Sequence, residues 1–441
     1  MAMHRPICWS ELTSGSVGLW GLGVEGGASF RRLQSMGTVP VLVEDFPHAP
    51  EYEGLQVLAT GAGGLQALLR CDVVVKSPGI SRYRPDAEQL VRSGVALSGG
   101  LGLWLEEAPL ERVTCITGTK GKSTTTALAT HILNGLGHRA RAGGNIGTAP
   151  WDPDGGPAPE YWVIETSSFQ VPDLTRAPSV VAVTSLFPDH LDWHGTVERY
   201  YADKLSLCTK EGVKVAIAPG ADDVLRAQLR SSPAPIRWVD AEPENGWRQA
   251  IGLLGAHNAR NAAVARAVLE AMGITEARDD ERMATAAEGF SALPSRCRSL
   301  GAVGGIEFID DSLSTNVLPA QAALDAFDGR PVALLVGGYD RGLDYAPLAR
   351  SVAARQQPTL VVTMPDNGPR IGEAIRAVNG SSAEVVDSPD LAEAVATAYR
   401  WSTTGGVVLL SPAAPSFGQF ADYRDRAAAF AAAAARCGPL T

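Results

Sequence analysis

What the chain has little of narrows its class before any motif is read. Six cysteines in 441 residues form no CxxC pair and have no histidine at metal-binding spacing. That excludes a disulfide-stapled scaffold and a zinc ribbon, and leaves reduced thiols, several of them buried. No stretch of ~18 apolar residues is available to span a bilayer, and the opening MAMHRPICWSEL lacks the apolar centre of a secretory signal. The expectation is a cytoplasmic protein with no membrane span. Positive charge is also scarce: 38 Lys and Arg face 48 Asp and Glu, a formal net charge of −10. Non-specific nucleic-acid binding needs a basic surface, so no nucleic-acid partner is expected. A local cluster of donors can still hold an anionic substrate. No long repeat or disordered run interrupts the chain. What is present is ordinarily globular, 45% hydrophobic and 20% charged, and the length predicts two to four domains.

Three blocks can be read along the chain. In the first, SVGLW runs into Gly21, Leu22, Gly23, Val24 and Gly26, a G-x-G-x-x-G turn, followed by a helical segment and the strand VPVLVED. Glu44 and Asp45 close that strand about twenty residues after the glycines, as in a dinucleotide-binding βαβ unit. The strand CDVVVKSPGI follows, with Ser77, Pro78 and Gly79 in its turn. Two readings stay open here: a nicotinamide-dinucleotide site, or a glycine turn serving backbone geometry or another phosphate. The second block carries ERVTCITGTKGKSTTTALATHIL, then the strands YWVIETSS, SVVAVTS and VKVAIAP, and a segment, GAHNARNAAVARAVLEAMG, read as an amphipathic helix. The third carries GIEFIDDS, PVALLVGGYD, TLVVTM, AEVVD and GGVVLLSPAAPS, and ends in the Ala-rich helix DYRDRAAAFAAAAARCG. Alternating strands and helices predict an α/β protein with parallel sheets. The expected division is 1–109, 110–293 and 294–441.

The turn in the second block carries the most chemistry. Gly118 and Gly121 let the amides of Gly118, Thr119, Lys120 and Gly121 converge on one anion. A helix opening near Lys122 adds its dipole, and Lys122 adds a point charge. Ser123, followed by Thr124, can place a hydroxyl on a phosphate-bound Mg²⁺. Only two residues separate the glycines, so the loop departs from the usual G-x-x-x-x-G-K-[ST] spacing. Further on, Glu165 ends a strand and can hold Mg²⁺ opposite Ser123. PDHLDWHG places Asp189, His190, Asp192 and His194 within six residues. Without Cys, and with His190 and His194 read in a loop and not on a helix, that cluster fits a hard cation or a substrate phosphate better than zinc.

Taken in order, ITGTKGKST, GGNIG, ETSSFQ, PDHLDWHG, YYADKLSL and GAHNARNAA resemble the Mur ligases, ATP-dependent amide ligases of peptidoglycan stem-peptide synthesis. The resemblance covers nearly the whole chain. GLGVEG with KSPGI at one end, and DDSLSTN, GGYDRGLD and LSPAAPSFGQF at the other, are most similar to the MurD-like branch, which adds glutamate to UDP-N-acetylmuramoyl-L-alanine. The resemblance implies three domains: a Rossmann-like UDP-binding domain, a central P-loop ATPase-like domain and a C-terminal Rossmann-like domain. It implies ATP and two Mg²⁺ ions, with Lys122 on the phosphates and Ser123 and Glu165 on metal. His190 falls near a second metal or the substrate. Lys204 matches a lysine that family members carry as a carbamate, a further metal ligand. Asn258, Asn261, Arg296 and Asp311 match ATP-binding positions. Gly21 to Val24, Glu44, Ser77 to Gly79 and Asn145 fall to the UDP-muramoyl substrate, and Thr315, Arg341, Ser416 and Tyr423 to glutamate. A monomer is expected.

Three departures from the branch stand out. Leu313 occupies the position of a lysine, LPS precedes Arg296 where LPH is usual, and SPAAPS replaces SPACAS. Two of them surround the incoming amino acid. GTKGKST and AAPS resemble a subfamily that adds L-glutamate and leaves inversion to a separate epimerase, so L-glutamate is the expected substrate and D-glutamate the alternative. Two rivals complete the field: a nicotinamide dehydrogenase, which leaves GTKGKST unused, and a nucleotide-binding regulator that does no chemistry.

Overall fold

The computed structural model describes residues 6–241, 243, 246–253 and 255–441. Three six-stranded sheets follow one another along the chain. The first comprises β1 (Val17–Trp20), β2 (Val41–Glu44), β3 (Glu51–Tyr52), β4 (Leu55–Ala59), β5 (Val73–Lys76) and β6 (Ala96–Ser98), in the order β3-β4-β2-β1-β5-β6. The second comprises β7 (Val113–Thr117), β8 (Ala140–Gly144), β9 (Tyr161–Glu165), β10 (Val180–Val183), β11 (Val215–Pro219) and β12 (Ile236–Val239), in the order β12-β11-β10-β7-β9-β8. The third comprises β13 (Arg298–Val303), β14 (Ile306–Asp310), β15 (Val332–Gly338), β16 (Thr359–Asp366), β17 (Glu384–Asp387) and β18 (Val407–Leu410), in the order β13-β14-β18-β15-β16-β17. Every pairing is parallel except the edge pairs β3–β4 and β13–β14. The α/β expectation therefore holds in all three.

The central strands of each sheet are continuous apolar runs because helices cover both faces. VTCIT in β7, VVAV in β10 and VALLVGG in β15 are buried throughout. The chain divides into two compact units, Met1–Ile251 with Arg260–Phe290, and Gly252–Ala259 with Ser291–Thr441. The first two sheets share the first unit and one core, in which Trp104 meets Trp162 edge-on at 5.9 Å. Arg31 pairs with Asp152 across them, its Nε 2.9 Å from Oδ1. One sequence reading needs correcting. The Ala256–Ala271 helix forms, but Ala262, Ala263, Val264, Ala265, Ala267, Val268 and Leu269 are all buried. Alanine lets neighbours approach on every side, so this is an enclosed helix and not an amphipathic one.

The glycines after β1 close the first βα turn. Gly21 sits at φ +92°, and a Cβ on Gly26 would lie 2.0 Å from the Gly21 carbonyl oxygen. Backbone cannot yield there as a flexible side chain would. Gly26→Ala is therefore expected to destabilise the chain by about 3 kcal/mol, at the upper end of overpacking costs. Chemical denaturation would measure it, and a loss below about 0.5 kcal/mol would mean that the turn is not closed in this way.

Candidate functional site

Sheet order gathers the site. Because β10, β7, β9 and β8 are neighbours, the loops at their carboxyl ends leave one edge together, where ligands bind in open α/β sheets. Those loops carry Thr184 and Ser185, the GTKGKS turn, Glu165, and Asn145.

The GTKGKS turn is held from below by its neighbour. Thr184 Oγ1 donates to the Lys120 carbonyl at 2.6 Å, Ser185 Oγ accepts from Lys120 N–H at 2.9 Å, and Thr119 N–H donates to the Ser185 carbonyl at 2.9 Å. Thr119 Oγ1 donates to the Phe187 carbonyl at 3.0 Å and accepts from the buried Tyr200 hydroxyl at 2.9 Å. Gly118, at φ +143°, passes so close to Thr184 that a Cβ would lie 2.1 Å from its hydroxyl. Gly121, at φ +91°, packs on the Asn261 carboxamide and caps the helix Lys122–Gly135. Its left-handed backbone is what ends the strand and starts the helix within four residues. Ser123 and Thr124 are buried in the first turn, and Lys122 Nζ donates to the Thr119 carbonyl at 3.2 Å.

Around this loop the charged groups converge. Asn145 Nδ2 donates to Glu165 Oε1 at 2.8 Å, while Oε2, also buried, has no hydrogen-bond partner among the described residues. Lys204 is 1% exposed and donates to the Gly118 carbonyl at 2.8 Å. Burial first, then the charges of Lys122 and Lys120, push its pKa well below the ordinary lysine range, against Asp189 and Glu165. Lys120 faces Asp189 at 3.5 Å. Burial works against the Asp189 charge, yet Lys120 and His190 hold its carboxyl below the ordinary range. His190 takes a left-handed backbone, φ +50°, and its ring meets Phe169 edge-on at 4.9 Å. Partial enclosure, with Lys120, Lys204 and Lys122 nearby, lowers its pKa despite Asp189. An imidazole whose neutral form is favoured beside these lysines is suited to accept a metal or a proton.

The glycine turn of the first sheet is held in a different way. Ser77 Oγ donates to the Gly21 carbonyl at 2.8 Å, and Glu44 Oε2 accepts from Leu22 N–H at 2.7 Å. Gly23 and Gly79 face open space, Pro78 is half-buried, and Val24 is 89% exposed. Asp45, by contrast, is turned away into an ion pair with Arg84 at 2.6 Å. In the second unit, β14, β18 and β15 are neighbours, so the loops bearing Thr315, Ser416 and Arg341 leave one edge. Ser416 is buried, Arg341 is exposed, and Tyr423 opens the last helix. Asp311 accepts from Ser411 Oγ at 2.7 Å and from Cys297 N–H at 3.0 Å, and burial pushes its carboxyl up to about 7. Asn258 is buried, and Arg296 is half-buried near the start of the same unit.

Comparison with known proteins decides the family. Residues 116–249 match the Mur ligase middle domain, and residues 295–414 match the Mur ligase, glutamate ligase domain. The UDP-N-acetylmuramoyl-L-alanine--L-glutamate ligase of Xanthomonas axonopodis pv. citri (strain 306) is 41% identical over 460 residues, covering 96% of this chain and 95% of its own. The chain belongs to the Mur ligase family. A ligase of the same printed name from Salinispora tropica is 38% identical over 448 residues, covering 96% and 98%. The UDP-N-acetylmuramoylalanyl-D-glutamyl-2,6-diaminopimelate--D-alanyl-D-alanyl ligase of Acinetobacter baumannii shares the fold, with a TM-score of 0.58 at 15% identity over 99% of this chain and all of its own.

As a Mur ligase the chain is an ATP-dependent enzyme, and its residues fit Mg²⁺. Glu165 offers one unsatisfied, buried carboxylate oxygen, and Ser123 lies in the first turn of the helix Lys122–Gly135. No group of three or more His, Cys, Asp or Glu poised for a metal exists among the described residues. Mg²⁺ commonly takes one or two protein ligands and completes its shell with phosphate and water. Sequence reasoning missed several residues of this Mur ligase site. Thr184, Ser185 and Tyr200 brace the glycine loop from remote positions, with no local pattern to announce them. His194 is placed by the structure in a buried relay, its Nδ1 2.7 Å from Asp203 and its Nε2 3.0 Å from Ser168 Oγ. It faces away from solvent, and Asp192 stays in the exposed turn. No helix among the described residues is long and apolar enough to cross a membrane.

Proposed function

We propose that this Mur ligase joins L-glutamate to UDP-N-acetylmuramoyl-L-alanine, driven by ATP through an acyl phosphate. The observation that carries the reading is the convergence of Lys122, Lys204 and the half-satisfied Glu165 on the glycine loop of the second sheet. A carboxylate is a poor electrophile towards an amine. The muramoyl-alanine carboxylate therefore attacks the γ-phosphorus, ADP leaves, and the acyl phosphate is formed. The neutral α-amine of glutamate then adds to the acyl carbon, and the tetrahedral adduct expels phosphate to leave the amide. Lys122 and the loop amides align the phosphates and offset charge that develops on them. Mg²⁺ held by Ser123 and Glu165 supplies Lewis-acid neutralisation when bound. His190 and a carbamate on Lys204 hold a second ion. Lys204 is suited to that modification because only the neutral amine reacts with CO₂. Asn258, Asn261, Arg296 and Asp311 bind the rest of the ATP. Residues 21–24, Glu44, 77–79 and Asn145 hold the UDP-muramoyl substrate, and Thr315, Arg341, Ser416 and Tyr423 hold glutamate. The chain is organised as three domains, 1–109, 110–293 and 294–441, and acts as a cytoplasmic monomer.

L-glutamate is favoured because the relatives over 96% of the chain are named for it and because Leu313 removes a cation near the incoming amino acid. The product then carries an L-glutamyl residue, and a separate epimerase must invert it. Phosphate release from ATP with UDP-N-acetylmuramoyl-L-alanine, offered each glutamate enantiomer separately, tests this. Turnover is expected with L-glutamate and at least about a hundredfold less with D-glutamate. The reverse preference would overturn the stereochemical assignment, and silence with both would overturn the substrate.

A further inference from the structure

The glycine turn contains a physical contradiction. GLGVEG places an acid, Glu25, in the first turn of the helix Val24–Ser35, the helix end aimed at the diphosphate under the function proposed above. A carboxylate there repels the anion that the turn should attract. The side chain resolves part of this by leaving the turn. Gln170 Nε2, from the ETSSFQ loop, donates to Glu25 Oε1 at 2.6 Å. The direction of that amide is fixed, because Gln170 Oε1 accepts from Ser167 N–H at 2.8 Å. Gln170 is itself 3% exposed. It can donate to the Glu25 carboxyl whether that group is ionised or neutral.

Of the charged groups facing Glu25, Lys76 lowers its pKa and Asp173 raises it. Lys76 at the end of β5 is paired with Asp173 at 2.5 Å, and Arg82 adds a second cation to Asp173 at 3.4 Å. Glu44 at the end of β2 is committed to Leu22 N–H in the same turn. Burial is therefore left as the dominant influence, and it lifts the Glu25 carboxyl to about 7. At neutral pH the free protein is divided between the two forms. A diphosphate in the first helical turn lies within about one helical pitch, ~5.4 Å, and must favour the neutral one.

We propose that Glu25 takes up a proton when the UDP group settles into the glycine turn, so that capture of the nucleotide-linked substrate is coupled to protonation of this side chain. The proposal rests on the reading that UDP binds at residues 21–24. The proton comes from solvent and returns to it on release, and no bond other than O–H forms or breaks. Gln170 keeps its hydrogen bond throughout, so the ETSSFQ loop that carries Glu165 is undisturbed by the exchange.

Titration calorimetry of UDP-N-acetylmuramoyl-L-alanine in buffers of different ionisation enthalpy counts the protons. At about pH 8 the wild type is expected to take up close to one proton more than Glu25→Gln. Between about pH 7.5 and 8.5 the wild-type Kd should weaken towards tenfold per pH unit, while that of Glu25→Gln stays within about threefold. Binding with equal proton counts in the two proteins overturns the proposal and leaves the ligase reading standing. Zero uptake by the wild type does the same without recourse to a variant. No binding of this substrate by the wild type overturns both.

Discussion

Lys122→Ala is expected to lower kcat/KM by about three orders of magnitude, with most of the loss in kcat. The lysine opens the helix Lys122–Gly135 and is tethered to the Thr119 carbonyl, so its ammonium is held over the loop before any nucleotide arrives. Groups that meet charge developing on a transferred phosphoryl act more strongly in the transition state than in the ground state. Removal of one preorganised donor in such a site costs about 10²–10³ in kcat. The positive groups that remain, the Lys120 ammonium and the loop amides, are expected to keep most of the ATP affinity. The nucleotide Kd should thus weaken by no more than about tenfold. Steady-state phosphate release, set beside equilibrium nucleotide binding, separates the two effects. A loss of kcat/KM under about tenfold, or one accounted for entirely by ATP affinity, would move the reacting phosphate away from this loop. Lys122→Arg is not a rescue, because a planar fork does not reproduce a compact ammonium at a turn this tight.

Much of the glycine loop after β7 was legible because its constraints are local. Gly118 and Gly121 need positive φ, and VTCI before them is a buried run that only a covered sheet tolerates. Glu165 was legible for a similar reason, since a carboxylate closing an apolar run marks a strand end, whereas Thr315, Arg341 and Ser416 lie in loops beyond their strands and were reached only through the family resemblance. What escaped reading depends on partners distant in sequence. ARAGG gives no strand pattern, yet β8 exists because β9 pairs with it and Gly143 and Gly144 admit Ile164 and Glu165. RSLGAV is broken by an irregularity at Ser299/Gly301, with Gly301 at φ +113°. PDHLDWHG reads as four equivalent polar groups. Folding separates them: Asp189 and His190 join the lysines, while His194 is drawn into the core by Asp203 and Ser168. Composition cannot distinguish those fates, because it is helix phase and a residue nine positions on that decide them.

Lys204→Ala is expected to cost about 10²–10³ in kcat, and Lys204→Arg nearly as much. The comparison of the two discriminates the possible roles of the side chain. In the structure Lys204 is a buried amine held to the Gly118 carbonyl, close to Lys122 and Lys120. As a fixed cation it would assist phosphate binding, and arginine, always charged, would recover part of the activity. But burial and two neighbouring lysines work against its charge and favour the neutral amine. That is the form which adds CO₂ to give a carbamate, and the product is an anion. An anion there relieves the repulsion among the three lysines and provides oxygen ligands for a hard cation beside Glu165. Arginine cannot form it. Both variants should therefore fall together, and ¹³C-labelled bicarbonate should give a carbamate carbon signal in the wild type that neither variant shows. Recovery of activity in Lys204→Arg to within about tenfold of wild type, without such a signal in the wild type, would instead make the ammonium the working form. The Gly118 carbonyl would then be its permanent partner, and the second cation would need another ligand than this side chain.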